Sequence, residues 1–217
     1  MSRLLFSACL LCAIVLQFNP VASSAAPVIS EALYDMVGAD NGYLFVELYG
    51  APGTALAGYT LQGVNGANGQ VYLTLNLSGA IPADGVFVVA DNVGDGTTPV
   101  PNADLILNFD FQNGPDSILL KSGNTLLDAL GYGVFGPGEF FAGEGASAPG
   151  AAPGQSVARR YADIDTHNNA ADFIVLSTPT PGVVTHAPLI VPLPGAALLL
   201  GGGLLGVWHI ARIRSRP

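Results

Sequence analysis

Thiols, amines and indoles are scarce in this chain. Its two cysteines, Cys9 and Cys12, lie close to the N-terminus, lysine occurs once as Lys121, and tryptophan occurs once as Trp208. If the N-terminal segment is removed on export, no cysteine remains, which excludes a disulfide framework and thiol catalysis in the rest. Positive charge is the next absence. All 16 acidic residues lie between Glu31 and Asp172, where only Lys121, Arg159 and Arg160 oppose them, a net charge of −13. A nucleic-acid-binding surface needs clustered cations to neutralise phosphates, so direct nucleic-acid binding is not expected. Such a surface favours solubility and attracts divalent cations. No convincing amphipathic helix appears in the body. With 28 glycines and 16 prolines among 217 residues, the composition favours turn-rich β structure.

What is present begins with two apolar ends. "MSRLLFSACLLCAIVLQFNPVASSAAP" has a basic Arg3, an apolar run from Leu4 to Phe18 and the small residues "VASSAA". These are the three parts of a secretory signal, and cleavage is expected near Ala25. At the other end, no charge occurs from Ala187 to Trp208. Prolines at 188, 192 and 194 resist a helix interior. A membrane-spanning helix is expected over 194–211, long enough at about 1.5 Å per residue to approach the hydrocarbon thickness. Arg212, Arg214 and Arg216 follow as a cytoplasmic basic tail, 212–217, which orients the helix with the body outside. Gly202 and Gly206 have the GxxxG spacing of helix dimers, although a permissive anchor accounts for these glycines equally well.

A short proline motif, an apolar helix and terminal arginines in this order resemble the PEP-CTERM class of bacterial sorting signals. The motif Val191, Pro192, Leu193, Pro194, Gly195 is similar to the VPLPA variant, with Gly195 in place of alanine. The resemblance implies recognition by an exosortase-type transpeptidase. It also implies transient anchoring in the inner membrane of a Gram-negative bacterium, then release to the cell surface or a matrix, often with extracellular polysaccharide.

Between the two ends the chain alternates short β-rich runs with turn formers. "VISEAL", "YLFVELYG", "GYTLQGV", "VYLTLNL", "GVFVVAD", "ADLILNF", "DSILLKS" and "TLLDAL" are divided by "APGTA", "NGANG", "SGAIPADG", "DNVGDGTTPVPNAD" and "FQNGPD". In "YLFVELYG", Leu44, Val46 and Leu48 share one face and Phe45, Glu47 and Tyr49 the other. "SGN" predicts a tight hairpin before "TLLDAL". "GVFGPGEFFAGEGASAPGAAPGQ" is too rich in glycine and proline for core and is read as a long surface loop. "FIVL" is a last strand, which "STPTPG" stops. The spacing indicates an all-β sandwich over 26–182, followed by a spacer and sorting motif over 183–193.

The order of these features resembles the lamin-tail domain, an immunoglobulin-like β-sandwich. The resemblance rests on "VISEALYD" with "YLFVELYG", on "ALAGYTLQGVNG", "IPADGVFVVAD" and "NGPDSILLKSGNTLLDALGYG", and on the closing "GQSVARRYADIDTHNNAADFIVLSTPTPG". His167 departs from the pattern within the Asp/Asn run. The resemblance implies a tethering or adhesive module.

Candidate chemistry is sparse. Asp163, Asp165, His167, Asn169 and Asp172 form the densest oxygen cluster, opening D-x-D like a calcium loop. Asn168 and Ile174 stand where an EF-hand has glycine and glutamate. Two readings stay open: side chains capping turns, with Asp165 and Asn169 folded onto nearby amides, or a calcium site. "DNVGDG" at 91–96 carries the same ambiguity. "GYGVFG" at 131–136 fits G-x-G-x-x-G, but Pro137 and Gly138 leave no helix to hold a pyrophosphate. Glu139 and Glu144 flank a loop with nothing fixing their separation. Arg159 and Arg160 are the only clustered cations of the body; one is expected to point inward and pair with a buried acid such as Glu47. No catalytic group or cofactor is expected. The chain reads as a non-enzymatic surface protein, with a calcium-stabilised adhesin or an accessory module of a secreted hydrolase as alternatives.

Overall fold

The computed structural model describes residues 26–188. The expected signal segment, sorting motif at 191–195, membrane helix over 194–211 and arginine tail lie outside the described residues. Among those described, no helix is long and apolar enough to cross a membrane.

Ten strands form two sheets. They are β1 (Val28–Leu33), β2 (Phe45–Tyr49), β3 (Tyr59–Asn65), β4 (Val71–Asn76), β5 (Val86–Asp91), β6 (Ala103–Leu107), β7 (Asp116–Ser122), β8 (Thr125–Tyr132), β9 (Ser156–Arg159) and β10 (Phe173–Leu176). A single helical turn, α1 (Asn169–Asp172), precedes β10. The six-stranded sheet has the order β10-β9-β1-β2-β5-β6, and the four-stranded sheet β4-β3-β7-β8. The pairs are antiparallel except β5 with β6. That parallel pair requires a crossover, which the "DNVGDGTTPVPN" segment provides. Its polar residues act on their own turns: Asn92 Oδ1 accepts from the Gly94 and Gly96 amides, and Asp95 Oδ1 from the Thr97 amide and hydroxyl.

The alternation expected in β2 holds. Leu44, Val46 and Leu48 are fully buried, facing the core with Leu61, Ile118, Leu120 and Leu130 from the second sheet. The other face of β2 is buried as well, because the chain after β10 crosses it. The β7–β8 hairpin turns at Gly123–Asn124, with Ser122 opposite Thr125 as "SGN" predicts. The glycine-rich segment 133–155 carries no strand, but part of it belongs to the core. Ala148 is fully buried, and its amide donates to the Gly131 carbonyl while its carbonyl accepts from the Gly133 amide. Tyr34 stacks on Tyr132 with ring centroids 4.0 Å apart and accepts the Ala151 amide on its hydroxyl. Small residues let this backbone lie against β8, so the composition that argued against core is what permits the close approach.

Residues 183–187, expected as free spacer, also lie on the body. The Thr185 carbonyl accepts from the Ala162 amide, and the Ala187 amide donates to Asp163 Oδ1.

Candidate functional site

The closing segment, 156–187, carries most of the polar chemistry, and its centre is Arg159. Alternation along β9 turns Ala158 toward the outer face beside Glu31 and sends Arg159 inward between the sheets. Its side chain is fully buried. Nε donates to the Ile29 carbonyl at 3.0 Å. Nη2 donates to both oxygens of Asp128, at 3.1 and 2.9 Å. Nη1 reaches the Ile164 carbonyl, Asp165 Oδ1 and Asp172 Oδ2 at 3.2–3.3 Å. The guanidinium also lies 4.6 Å from the centroid of the Phe173 ring, a cation–π arrangement. The partner is therefore Asp128 and not Glu47, because Glu47 points to the opposite face of the six-stranded sheet.

Asp128 sits on β8 in the inter-sheet layer, fully buried. Burial raises its pKa, and the Arg159 charge and the Ile29 amide work against that rise. Its Oδ2 accepts from Ile29 at 2.6 Å and Oδ1 from its neighbour Ala129 at 2.9 Å. The register shift in β1 falls between Ile29 and Glu31, where the backbone turns both its amide and its carbonyl to this knot. One guanidinium thus joins β1, β8, β9 and the closing loop.

The oxygen cluster of the sequence divides in three directions. Asp172 is buried and accepts from Arg159 and from the Thr166 amide and hydroxyl. Asn169, fully buried, does not cap its own turn. Its Oδ1 accepts from Gly131 and Glu144, and its amide donates to the Ala129 carbonyl, so it pins the glycine-rich loop to β8. Asp163 lies at the surface, bonded to the Ala187 amide and 4.0 Å from His186. Asp165 alone makes the expected Asx-turn, accepting the His167 amide at 3.0 Å.

Asp165, His167 and Glu144 bring three ligand atoms within 4.8 Å of one another. His167 Nδ1 lies 3.3 Å from Glu144 Oε1 and 3.4 Å from Asp165 Oδ2. The hydrogen bond that His167 donates to Glu144, with the Asp165 charge, raises the His167 pKa. Burial raises that of Glu144. This trio is the one group of three acidic or histidine side chains among the described residues placed to share a cation, but Arg159 holds Asp165 at 3.3 Å. A cation would share a carboxylate with a buried guanidinium, so the corner works as a charge-paired turn. Glu139 is engaged separately, capping the Gly136 amide of its own turn. Glu144 is committed to His167, so the two carboxylates do not act as a pair.

On the outer face, Glu31 and Glu47 stand opposite each other on β1 and β2 and are almost completely buried. Asp128 and Glu31 were not singled out as site residues from the sequence. A lone acid inside the apolar run "TLLDALGY" was the available signal, since a buried charge requires a partner and the body offers few cations.

Replacing Arg159 with Ala leaves Asp128 buried and unpaired. We expect a loss of about 3–5 kcal/mol in urea unfolding of the full chain. Nuclear magnetic resonance should place the His167 titration above the ordinary 6.5 of histidine, and Glu144→Gln should return it toward that value. The stability His167 adds is full below 6.5 and disappears as pH rises through the raised value. Calcium should leave the melting temperature unchanged, because Asp165, one of the two carboxylates it would need, is already held by Arg159.

Compared with known proteins, the chain matches no protein-family model and no curated protein sequence.

Proposed function

We propose that this chain is an exported, non-enzymatic surface or matrix protein. In this reading, a lamin-tail-type, immunoglobulin-like sandwich is carried between an N-terminal signal (1–25) and a C-terminal sorting tail. The tail consists of the motif Val191–Gly195, a membrane helix over 194–211 and the stop-transfer arginines Arg212, Arg214 and Arg216. An exosortase-type transpeptidase recognises it, and the body then serves as a tethering or adhesive module at the cell surface or in extracellular polysaccharide.

One observation carries this reading: an all-β body of two sheets stands in the chain between an N-terminal segment with the three parts of a secretory signal and the ordered run of proline motif, apolar stretch and arginines. Two further features support it. The body's excess of acidic residues keeps an exported domain soluble. The buried carboxylates of Asp128, Glu31 and Glu47 are held in structural bonds to Arg159, Ser156, Ser30 and the Gly182 amide, an arrangement suited to a scaffold.

The test is fractionation of cells expressing the intact chain or a variant with Arg212, Arg214 and Arg216 replaced by alanine. The intact chain should appear as a shortened surface form and the variant as an unprocessed or mislocalised one. Identical size and compartment for both would sink the sorting reading.

A further inference from the structure

The dipeptide Asn-Gly occurs four times in the chain, as Asn41–Gly42, Asn65–Gly66, Asn68–Gly69 and Asn113–Gly114. It is a favourable setting for an asparagine side chain to react with the backbone. Glycine has no β-carbon to shield its nitrogen, and closure of a five-membered ring is intramolecular. The reaction requires the glycine nitrogen and the asparagine side chain to be free to meet, so the fold decides among the four.

Three of them are held. The Gly42 amide is buried and donates to Asp91 Oδ2, while Asn41 Nδ2 donates to the Val93 carbonyl at 3.2 Å. The Gly66 amide is buried and donates to Asp116 Oδ1 at 2.8 Å. Asn65 is fixed at both atoms of its side-chain amide: Nδ2 donates to Gln112 Oε1 and Oδ1 accepts from the Ala67 amide, each at 2.8 Å. The Gly69 amide donates to the Asn65 carbonyl at 2.7 Å, and Asn68 Oδ1 accepts from the Gln70 amide at 2.9 Å. At each of these sites the nitrogen must leave a hydrogen bond before it can turn toward the side chain.

Asn113–Gly114 differs. Both residues are exposed, and among the described residues neither the Asn113 side chain nor the Gly114 amide has a hydrogen-bond partner. The pair lies in the loop between β6 and β7, and that loop is anchored on both sides of it. Before the pair, the Gln112 amide donates to Tyr72 Oη at 3.0 Å, and the Gln112 carbonyl accepts from Tyr132 Oη at 2.7 Å. After it, Asp116 holds the Gly66 amide. The fold thus presents one Asn-Gly pair to solvent and ties down the other three.

We propose that Asn113–Gly114 is a self-modification site, at which the folded protein converts Asn113 to aspartate and isoaspartate with water as the only co-reactant. The Gly114 nitrogen loses its proton to solvent and attacks Asn113 Cγ. A bond from that nitrogen to Cγ forms, the Cγ–Nδ2 bond breaks, and the side-chain nitrogen takes up a proton and leaves as ammonia. Water then opens the cyclic imide, its hydroxyl going to a carbonyl carbon and its proton to the ring nitrogen. Opening at Cγ gives aspartate. Opening at the main-chain carbonyl gives isoaspartate, whose backbone runs through the former side chain and is one carbon longer. Either product adds a negative charge between Asp110 and Asp116, and isoaspartate lengthens the chain between the anchored Gln112 and Asp116. The site stands on local geometry and does not depend on the proposed function.

The experiment is incubation of the full chain in detergent micelles at mildly alkaline pH, followed by digestion and mass spectrometry of each Asn-Gly peptide, with isoaspartate separated by chromatography. Asn113 should convert at least about tenfold faster than Asn41, Asn65 and Asn68, because each of those must first open its turn. In urea the four rates should draw together, since the unfolded chain holds none of them. Asn113→Gln, which would have to close a larger ring, should remove the fastest conversion and leave the other three unchanged. Equal rates at all four sites in the folded chain, or conversion of Asn41, Asn65 or Asn68 ahead of Asn113, would overturn the proposal. So would a ranking that persists in urea, because the selectivity would then belong to the neighbouring residues and not to the fold.

Discussion

The fold is organised around a constraint on charge. An ion between two β-sheets must be paired and fully hydrogen-bonded, or it destabilises the layer that contains it. Arg159 meets that condition with every group of its fork: Ile29 on one side, Asp128 at the end, and Ile164, Asp165 and Asp172 on the other. Because its partners come from β1, β8 and the loop before β10, the knot forms only when the first strand, the central hairpin and the closing segment are all in place. A buried ion pair of this kind adds little net stability over an apolar contact of the same shape, but its loss is costly. Its contribution is to couple the ends of the domain.

The second polar centre is built on the opposite principle. On the outer face, Glu31 and Glu47 receive hydroxyl and amide donors, from Ser30, Ser156, Thr180 and Gly182, in place of a guanidinium. One centre joins the two sheets; the other fastens the segment after β10 to the outer face. The pair lies beneath residues 180–182 of that segment.

The architecture was legible because its signals were local. Alternation in "YLFVELYG", the two-residue "SGN" turn and proline after "FIVL" each depend on a few neighbouring residues, and each appears in the structure as β2, the β7–β8 hairpin and the end of β10. The polar partners were less legible because they are remote: Ile29 and Asp128 are 99 positions apart, and Glu31 and Thr180 are 149. An inward arginine could be foreseen from period-two alternation, but its partner depended on which face of which sheet each acid occupies. Glu47 was the nearest acid by type and lies on the wrong face. Asn169 shows the same limit: its spacing suits a local turn, yet tertiary packing assigns it to the β8 backbone. The glycine-rich loop shows a third kind. Composition indicates that a segment will not form a ladder, but not that its bare backbone will press against a strand edge.

These features describe a body whose buried acids fasten its own chain. The most direct test of the fastening is a double-mutant cycle between Arg159 and Asp128, each replaced by an apolar residue of similar size, with stability read by urea unfolding. The account predicts that the double variant recovers at least about 2 kcal/mol relative to the sum of the two single losses. Additive losses would mean that the two side chains do not depend on each other, and the knot would not be what joins the sheets.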